Sequence, residues 1–249
     1  MNKLEVEKFK PLLGSWYPYL EPLFSTEEMY NLYQEFKQCK EVITPKSDTL
    51  YKFLEYCPKD KLKLILIGLD SYPSRYYKSK QLQADGLAFS CSNSPDGKLQ
   101  PSLTSLWDGL SHEFQEELPY EKDLKFLAEQ GVLLGNRALN CKLNKTGSFL
   151  GKWDFWWKFF LEEIVFQYYG GVPIVFLGKD AAKLRKYVFE MKNPVFVLDH
   201  PSFAARSGQL WDTKGVFTKC NKLIVEQFGQ GQEIIWDKIK YEELNDLPF

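Results

Sequence analysis

Short apolar runs that alternate with stretches of helical period constrain this chain more than any other feature. Leu62-Lys63-Leu64-Ile65-Leu66-Ile67-Gly68 is branched and nearly continuous. Such a run reads as a strand buried on both faces of a parallel sheet. Gly131 to Leu134, Val172 to Leu177 and Val195 to Leu198 have the same character. Between and after them, helical patterns cover Pro101 to about Glu117, Trp153 to Tyr169, Lys179 to Met191, and Thr213 to Phe228. Strand alternating with helix predicts an α/β fold. Its centre is a mostly parallel, four-stranded twisted sheet with helices on both faces, a three-layer α/β/α arrangement.

The chain of 249 residues reads as a single domain over 1–249, with residues 1–55 a helical N-terminal arm. In that arm Ser25-Thr26-Glu27-Glu28 has the spacing of a capping box, with Ser25 as cap. Met29, Leu32, Tyr33 and Phe36 follow at helical spacing. The Trp153-Asp154-Phe155-Trp156-Trp157 cluster lies inside a helical pattern and reads as core rather than as a stacking platform.

Net charge is -1, so composition does not announce a nucleic-acid binder; a local basic face would be needed. The five cysteines include no C-x-x-C pair and read as reduced thiols. With two histidines, His112 and His200, a metal site has little support, and no metal or cofactor is expected. No run of ~18 apolar residues is present to span a membrane, and a cytoplasmic monomer is expected. There is neither a G-x-G-x-x-G nor a P-loop to support a nucleotide-binding reading.

In open parallel sheets the ligand lies beyond the carboxyl ends of the strands. The residues just past the four runs are Asp70, Asn136, Gly178 and His200. A carboxylate, a carboxamide and an imidazole without an activated Ser or Cys do not suit acyl transfer. They suit cleavage of an N-glycosidic bond. The carboxylate stabilises a sugar cation or orients a water. The histidine donates to charge on the leaving group. The Asn reads a base edge with one donor and one acceptor.

Gly68-Leu69-Asp70-Ser71-Tyr72-Pro73 resembles the water-activating motif of family 1 uracil-DNA glycosylases, GQDPYH. Further matches follow in order. Ala84-Asp85-Gly86-Leu87-Ala88-Phe89-Ser90 is similar to AHGLCFS, and Pro101-Ser102-Leu103 to the proline-rich loop. Leu133-Leu134-Gly135-Asn136 is similar to LLLN, and Val175-Phe176-Leu177-Gly178 to the VFLLWG strand. His200-Pro201-Ser202 is similar to HPSP, and Glu233-Ile234-Ile235-Trp236 to the closing I-D-W. Together they run from about residue 60 to 237.

The resemblance implies excision of uracil from single- or double-stranded DNA by base flipping, leaving an abasic site. It implies that Asp70 and His200 are catalytic. Phe89 would stack on the flipped base, Asn136 would read its edge, and Tyr72 would reject the thymine methyl. Leu69 would border the base through its backbone. Ser102, Gly178, Lys179 and Ser202 would grip the phosphate backbone.

Several positions depart from the pattern. Leu69 stands for Gln, Ser71 for Pro, and Pro73 for His, so a differently shaped water loop is expected. Asp85 stands for His and is expected to change the charge beside the base pocket. Ala204 occupies the place of the wedge leucine and is too small to fill a stack, so Phe203 or Arg206 would take over. These departures point to a remote member of the family, a viral or phage one among the candidates. They also motivate an alternative, a weakly active or inactive DNA-binding or replication-scaffold relative. A protein inhibitor or replication partner is left open.

Overall fold

The computed structural model describes residues 5–246. Strands β1 (Leu64–Asp70), β2 (Val132–Ala138), β3 (Ile174–Leu177) and β4 (Val195–Leu198) form one sheet in the order β2-β1-β3-β4. Every pairing is parallel. Registers such as Ile65↔Leu133, Ile65↔Ile174 and Ile174↔Val195 set the carboxyl ends of the strands along one edge. The chain steps from β1 to β2 on one side and then crosses to β3 on the other. The topological switch therefore lies between β1 and β3, where such sheets leave a crevice.

The sheet is packed in helices, as the alternation predicts. Pro101–Phe114 and Val216–Phe228 are regular α-helices. Asp154–Phe159 continues through a π-helical turn, Phe160–Val165, into Phe166–Tyr168. Trp153, Trp156 and Trp157 are fully buried, so this cluster is core. Trp157 lies where Gly135 leaves room: a Cβ on Gly135 would sit 2.6 Å from its ring.

Two local expectations are corrected. Thr26, not Ser25, caps the Glu27–Gln38 helix, its hydroxyl accepting from the Met29 N–H at 3.3 Å. Ser25 is still engaged with the preceding helix, donating its N–H and its hydroxyl to the Glu21 carbonyl. The segment expected as a helix over 179–191 is a 3-10 helix, Ala181–Tyr187, followed by turns. At its start the Asp180 carbonyl accepts from the Lys183 N–H and also from Arg137 Nη1.

The N-terminal arm consists of short helices and a two-residue strand, Ile43–Thr44, paired with Cys141–Lys142. Residues 1–4 of the expected arm lie outside the described residues. Leu13, Trp16, Leu20 and Phe24 enter the same buried cluster as the sheet, and Trp16 Nε1 donates to the Cys57 carbonyl at 2.7 Å. The five cysteines are free thiols. Among the described residues no helix is long and apolar enough to cross a membrane.

Candidate active site

A cleft of about 330 Å³ opens at the carboxyl ends of β1 and β3. Of the residues singled out in the sequence, Leu69, Asp70, Tyr72, Phe89, Ser102 and Asn136 line it. Gly178, Lys179, His200, Ser202 and Arg206 line it too. Phe203 and Ala204 are not part of the lining. They differ in direction: Phe203 is 60% exposed, whereas Ala204 is 5% exposed and turned into the fold. Ala204 therefore offers no side chain to a duplex.

Gly68 organises the floor. It pairs with Asn136 across β1 and β2. A Cβ on Gly68 would lie 2.6 Å from Asn136 Oδ1 and 3.1 Å from the Phe89 ring. The missing side chain at Gly68 lets the carboxamide and the ring meet there without displacement. The Asn136 backbone is fixed from behind by Trp157 Nε1, which donates to its carbonyl at 2.9 Å.

Phe89 sits at φ +66°, a conformation that bulky residues rarely adopt and that costs about 1–3 kcal/mol. Its surroundings impose it. The Tyr72 hydroxyl donates to the Phe89 carbonyl at 3.0 Å, and the Ala88 N–H donates to Leu134 on β2 at 2.9 Å. Asp85 ties the rest of the loop, accepting from the Leu87 N–H, the Ser90 hydroxyl and the Ser92 N–H. Burial pushes its carboxyl above the ordinary value against the pull of those donors. Asp85 does not line the cleft. It holds the loop that presents Phe89, and its charge reaches the cleft indirectly, through Tyr72 on the wall.

Asp70 ends β1. Its Oδ2 accepts from the Gly147 N–H at 2.6 Å. Burial raises its pKa to about 6, and the Gly147 hydrogen bond resists that rise. The loop after Asp70 is pinned by Ser71 Oγ, which donates to the Leu139 carbonyl at 2.8 Å, and by the Asn144 N–H, which donates to Pro73 at 2.6 Å.

His200 caps the Pro201–Ser207 helix. Its Nδ1 accepts from the Ser202 N–H at 3.1 Å and lies 2.9 Å from Ser202 Oγ. Burial lowers its pKa to about 4, helped by the nearby Arg206 charge. The imidazole faces Phe89, with ring centroids 5.4 Å apart. Gly178, at φ +96°, lets it approach: a Cβ there would lie 3.0 Å from the His200 Cβ.

Sequence reasoning missed Thr146 and Gly147, which close the cleft over Asp70, and Asp180 at its rim. The Asn144-Lys145-Thr146-Gly147 run carries a turn signal, but nothing in it says which carboxylate the turn will meet. Among the described residues no cluster of three or more His, Cys, Asp or Glu is placed to hold a metal.

No family model matches the chain. The uracil-DNA glycosylase of Bacillus mycoides (strain KBAB4) is 30% identical over 232 residues, covering 91% of this chain and 96% of that protein. The uracil-DNA glycosylase of Helicobacter pylori (strain HPAG1) is 28% identical over 218 residues, covering 84% and 90%. The crystal structure of mimivirus uracil-DNA glycosylase superposes with a TM-score of 0.79 at 21% identity, covering 94% of this chain and 90% of that one, and so shares the fold. With the overall similarity and the site both in place, the chain belongs to the uracil-DNA glycosylase family.

Proposed function

We propose that the protein hydrolyses the N-glycosidic bond of deoxyuridine in DNA, with the base flipped out of the strand, and leaves an abasic site. The observation that carries this reading is the meeting of Asp70, Asn136, His200 and Phe89 in one cleft at the strand ends. Nothing in the site favours an inactive scaffold.

The flipped uracil stacks on Phe89, and the Asn136 carboxamide reads its edge. Cytosine presents the opposite donor pattern and leaves the buried amide unpaired. Tyr72, held by Phe89 and by a 3.0 Å contact with Ser102 Oγ, stands where a 5-methyl group would collide. Asp70, ionised above its pKa of about 6, orients a water and stabilises the cationic sugar. The water oxygen bonds to the anomeric carbon as the bond to the base nitrogen breaks. The electron pair leaves with the uracil anion, and the proton the water gives up passes to the Asp70 carboxylate. His200 meets the charge that develops on a uracil carbonyl by donating Nε2–H.

Ser102, Gly178, Lys179, Ser202 and Arg206 border the cleft and grip the phosphate backbone without reading sequence. Phe203, exposed on the first turn after His200, fills the space left by the base. The described part of the arm, residues 5–55, acts as packing within one domain. The test is release of free uracil from an oligonucleotide with a single uracil, with EDTA present. Release with an alkali-labile abasic site is expected. A folded protein that releases nothing from single or double strands contradicts the reading.

A further inference from the structure

The segment that leaves the cleft after Pro73 is a hairpin whose chemistry the site does not use. Arg75 and Leu82 close it by an antiparallel bridge. The Tyr76 N–H donates to Gln81, the Lys80 N–H to Tyr76, and the Gln83 N–H to Ser74. Ser74 to Gln83 carries Arg75, Lys78 and Lys80 and no acid, in a chain of net charge -1.

Its two tyrosines are divided. Tyr76 anchors the hairpin, packing on the core and donating to the Cys91 carbonyl at 3.4 Å. Tyr77 is 87% exposed at the tip. The Lys80 ammonium stands 4.5 Å from the Tyr77 centroid, over one face of the ring. Arg75 Nη1 donates to the Lys80 carbonyl at 2.8 Å, which holds a guanidinium at the surface without a carboxylate. The acids nearby are Asp96, 3.9 Å from Lys78 and solvent-exposed, and Asp48, which shares a groove with Arg75, Lys80 and Lys46. Cations therefore outnumber acids on this face.

Pro73 lines the cleft, and Tyr77 lies four positions further along the chain. At about 3.6 Å per residue, Tyr77 lies within ~14 Å of the cleft wall. That is about four steps along a strand of duplex DNA at ~3.4 Å each, and fewer along a more extended single strand. A presented aromatic ring among phosphate-neutralising cations is the chemistry of an unpaired-base platform.

We propose that the Ser74–Gln83 hairpin is a second DNA-contact surface, which binds the single strand flanking the uracil. Tyr77 stacks on an unpaired base there, and Arg75, Lys78 and Lys80 neutralise phosphates. The inference rests on the glycosylase reading for its substrate.

The test is binding of a uracil-free 20-nucleotide single strand and of its duplex, across a salt series. Wild type, Tyr77→Ala and the triple variant Arg75→Gln/Lys78→Gln/Lys80→Gln are compared. Melting temperatures and uracil excision are measured on the same preparations. Tyr77→Ala is expected to bind the single strand about tenfold more weakly and the duplex unchanged. The triple variant is expected to lose about 2 from the slope of log K against log salt, at ~0.7 per single-strand phosphate contact. Folded variants with wild-type affinity and slope, in a protein that excises uracil, overturn the hairpin's role and leave the glycosylase reading intact. A folded wild type that neither excises uracil nor binds DNA overturns both.

Discussion

Ser202 donates its backbone N–H to His200 Nδ1 at 3.1 Å, so a neutral His200 carries its proton on Nε2. The same contact caps the Pro201–Ser207 helix, so the tautomer is fixed by the fold and not by a substrate. With burial lowering its pKa to about 4, the ring is a neutral donor at physiological pH. Nitrogen NMR of labelled histidine is expected to show the Nε2–H form with no titration between pH 6 and 8. A His200 that protonates in that range contradicts the assignment.

Asp70 and His200 make opposite contributions to stability against pH. His200 falls from about 6.5 when unfolded to about 4 when folded. Between those values the unfolded chain binds more protons, so this group makes stability rise with pH. Asp70 climbs from about 3.9 unfolded to about 6 folded. There the folded chain binds more protons, so this group makes stability fall as pH rises. The two largely offset each other from about pH 4 to 6. Removing the carboxyl in Asp70→Asn is expected to leave the His200 contribution uncompensated. Urea unfolding at several pH values in that window then shows a steeper rise of stability with pH than in wild type. An equal or shallower rise refutes the linkage.

Gly68→Ala tests the floor of the cleft. The new methyl would meet Asn136 Oδ1 and the Phe89 ring closer than contact distance. Both are ends of side chains and can shift, at the ~1–3 kcal/mol scale of overpacking. The fold is expected to survive while uracil excision drops by ~10-fold or more. Full activity in Gly68→Ala would mean that the close approach of Asn136 and Phe89 is dispensable.

Phe203→Ala tests the wedge. Extruding a base from a stacked duplex costs a few kcal/mol and less from a single strand. The variant is expected to lose at least ~10-fold more excision on duplex than on single-stranded substrate. An equal loss on both removes Phe203 from the flipping step.

Arg137 is a positioning residue one step beyond Asn136. Its Nε and Nη2 donate to both Asp154 oxygens at 2.8 and 2.7 Å, and its Nη1 donates to the Asp180 carbonyl at 3.0 Å. It thereby joins β2, the Asp154–Phe159 helix and the loop after Gly178. Arg137→Ala leaves a mostly buried Asp154 without its partner and is expected to destabilise by about 3–5 kcal/mol in urea unfolding. Arg137→Met with Asp154→Leu is expected to recover much of that loss. No loss in the single variant would show that the pair does not hold these elements together.

The sheet was legible because each strand carries a short, branched apolar run, although the edge strand Val195–Leu198 is only partly buried, with Val197 40% exposed. The centre of the site followed from it, since Asp70, Gly178 and His200 lie at or just past strand ends that a parallel sheet must align; Asn136, expected after its strand, sits two residues inside β2, which runs on to Ala138. What stayed hidden depends on contacts between segments far apart in the chain. Gly147 reaches Asp70 across 77 residues, and no local pattern marks that meeting. Asp85 reads as a pocket residue by its place in a motif, but its own loop supplies three donors and turns it inward. Thr26 and Ser25 are adjacent candidates for one cap, and both hydroxyls donate back into the preceding helix; the backbone decides between them, since Ser25 is still helical and Thr26 is the residue that turns extended.

We propose that Asp70 carries the chemistry. Its most direct test is uracil excision from a single-uracil oligonucleotide, in EDTA, by wild type and Asp70→Asn side by side. Excision by wild type and a loss of ~10²-fold or more in the variant, the scale of one transition-state electrostatic contact, are the expected result. Equal rates from the two folded proteins would contradict it.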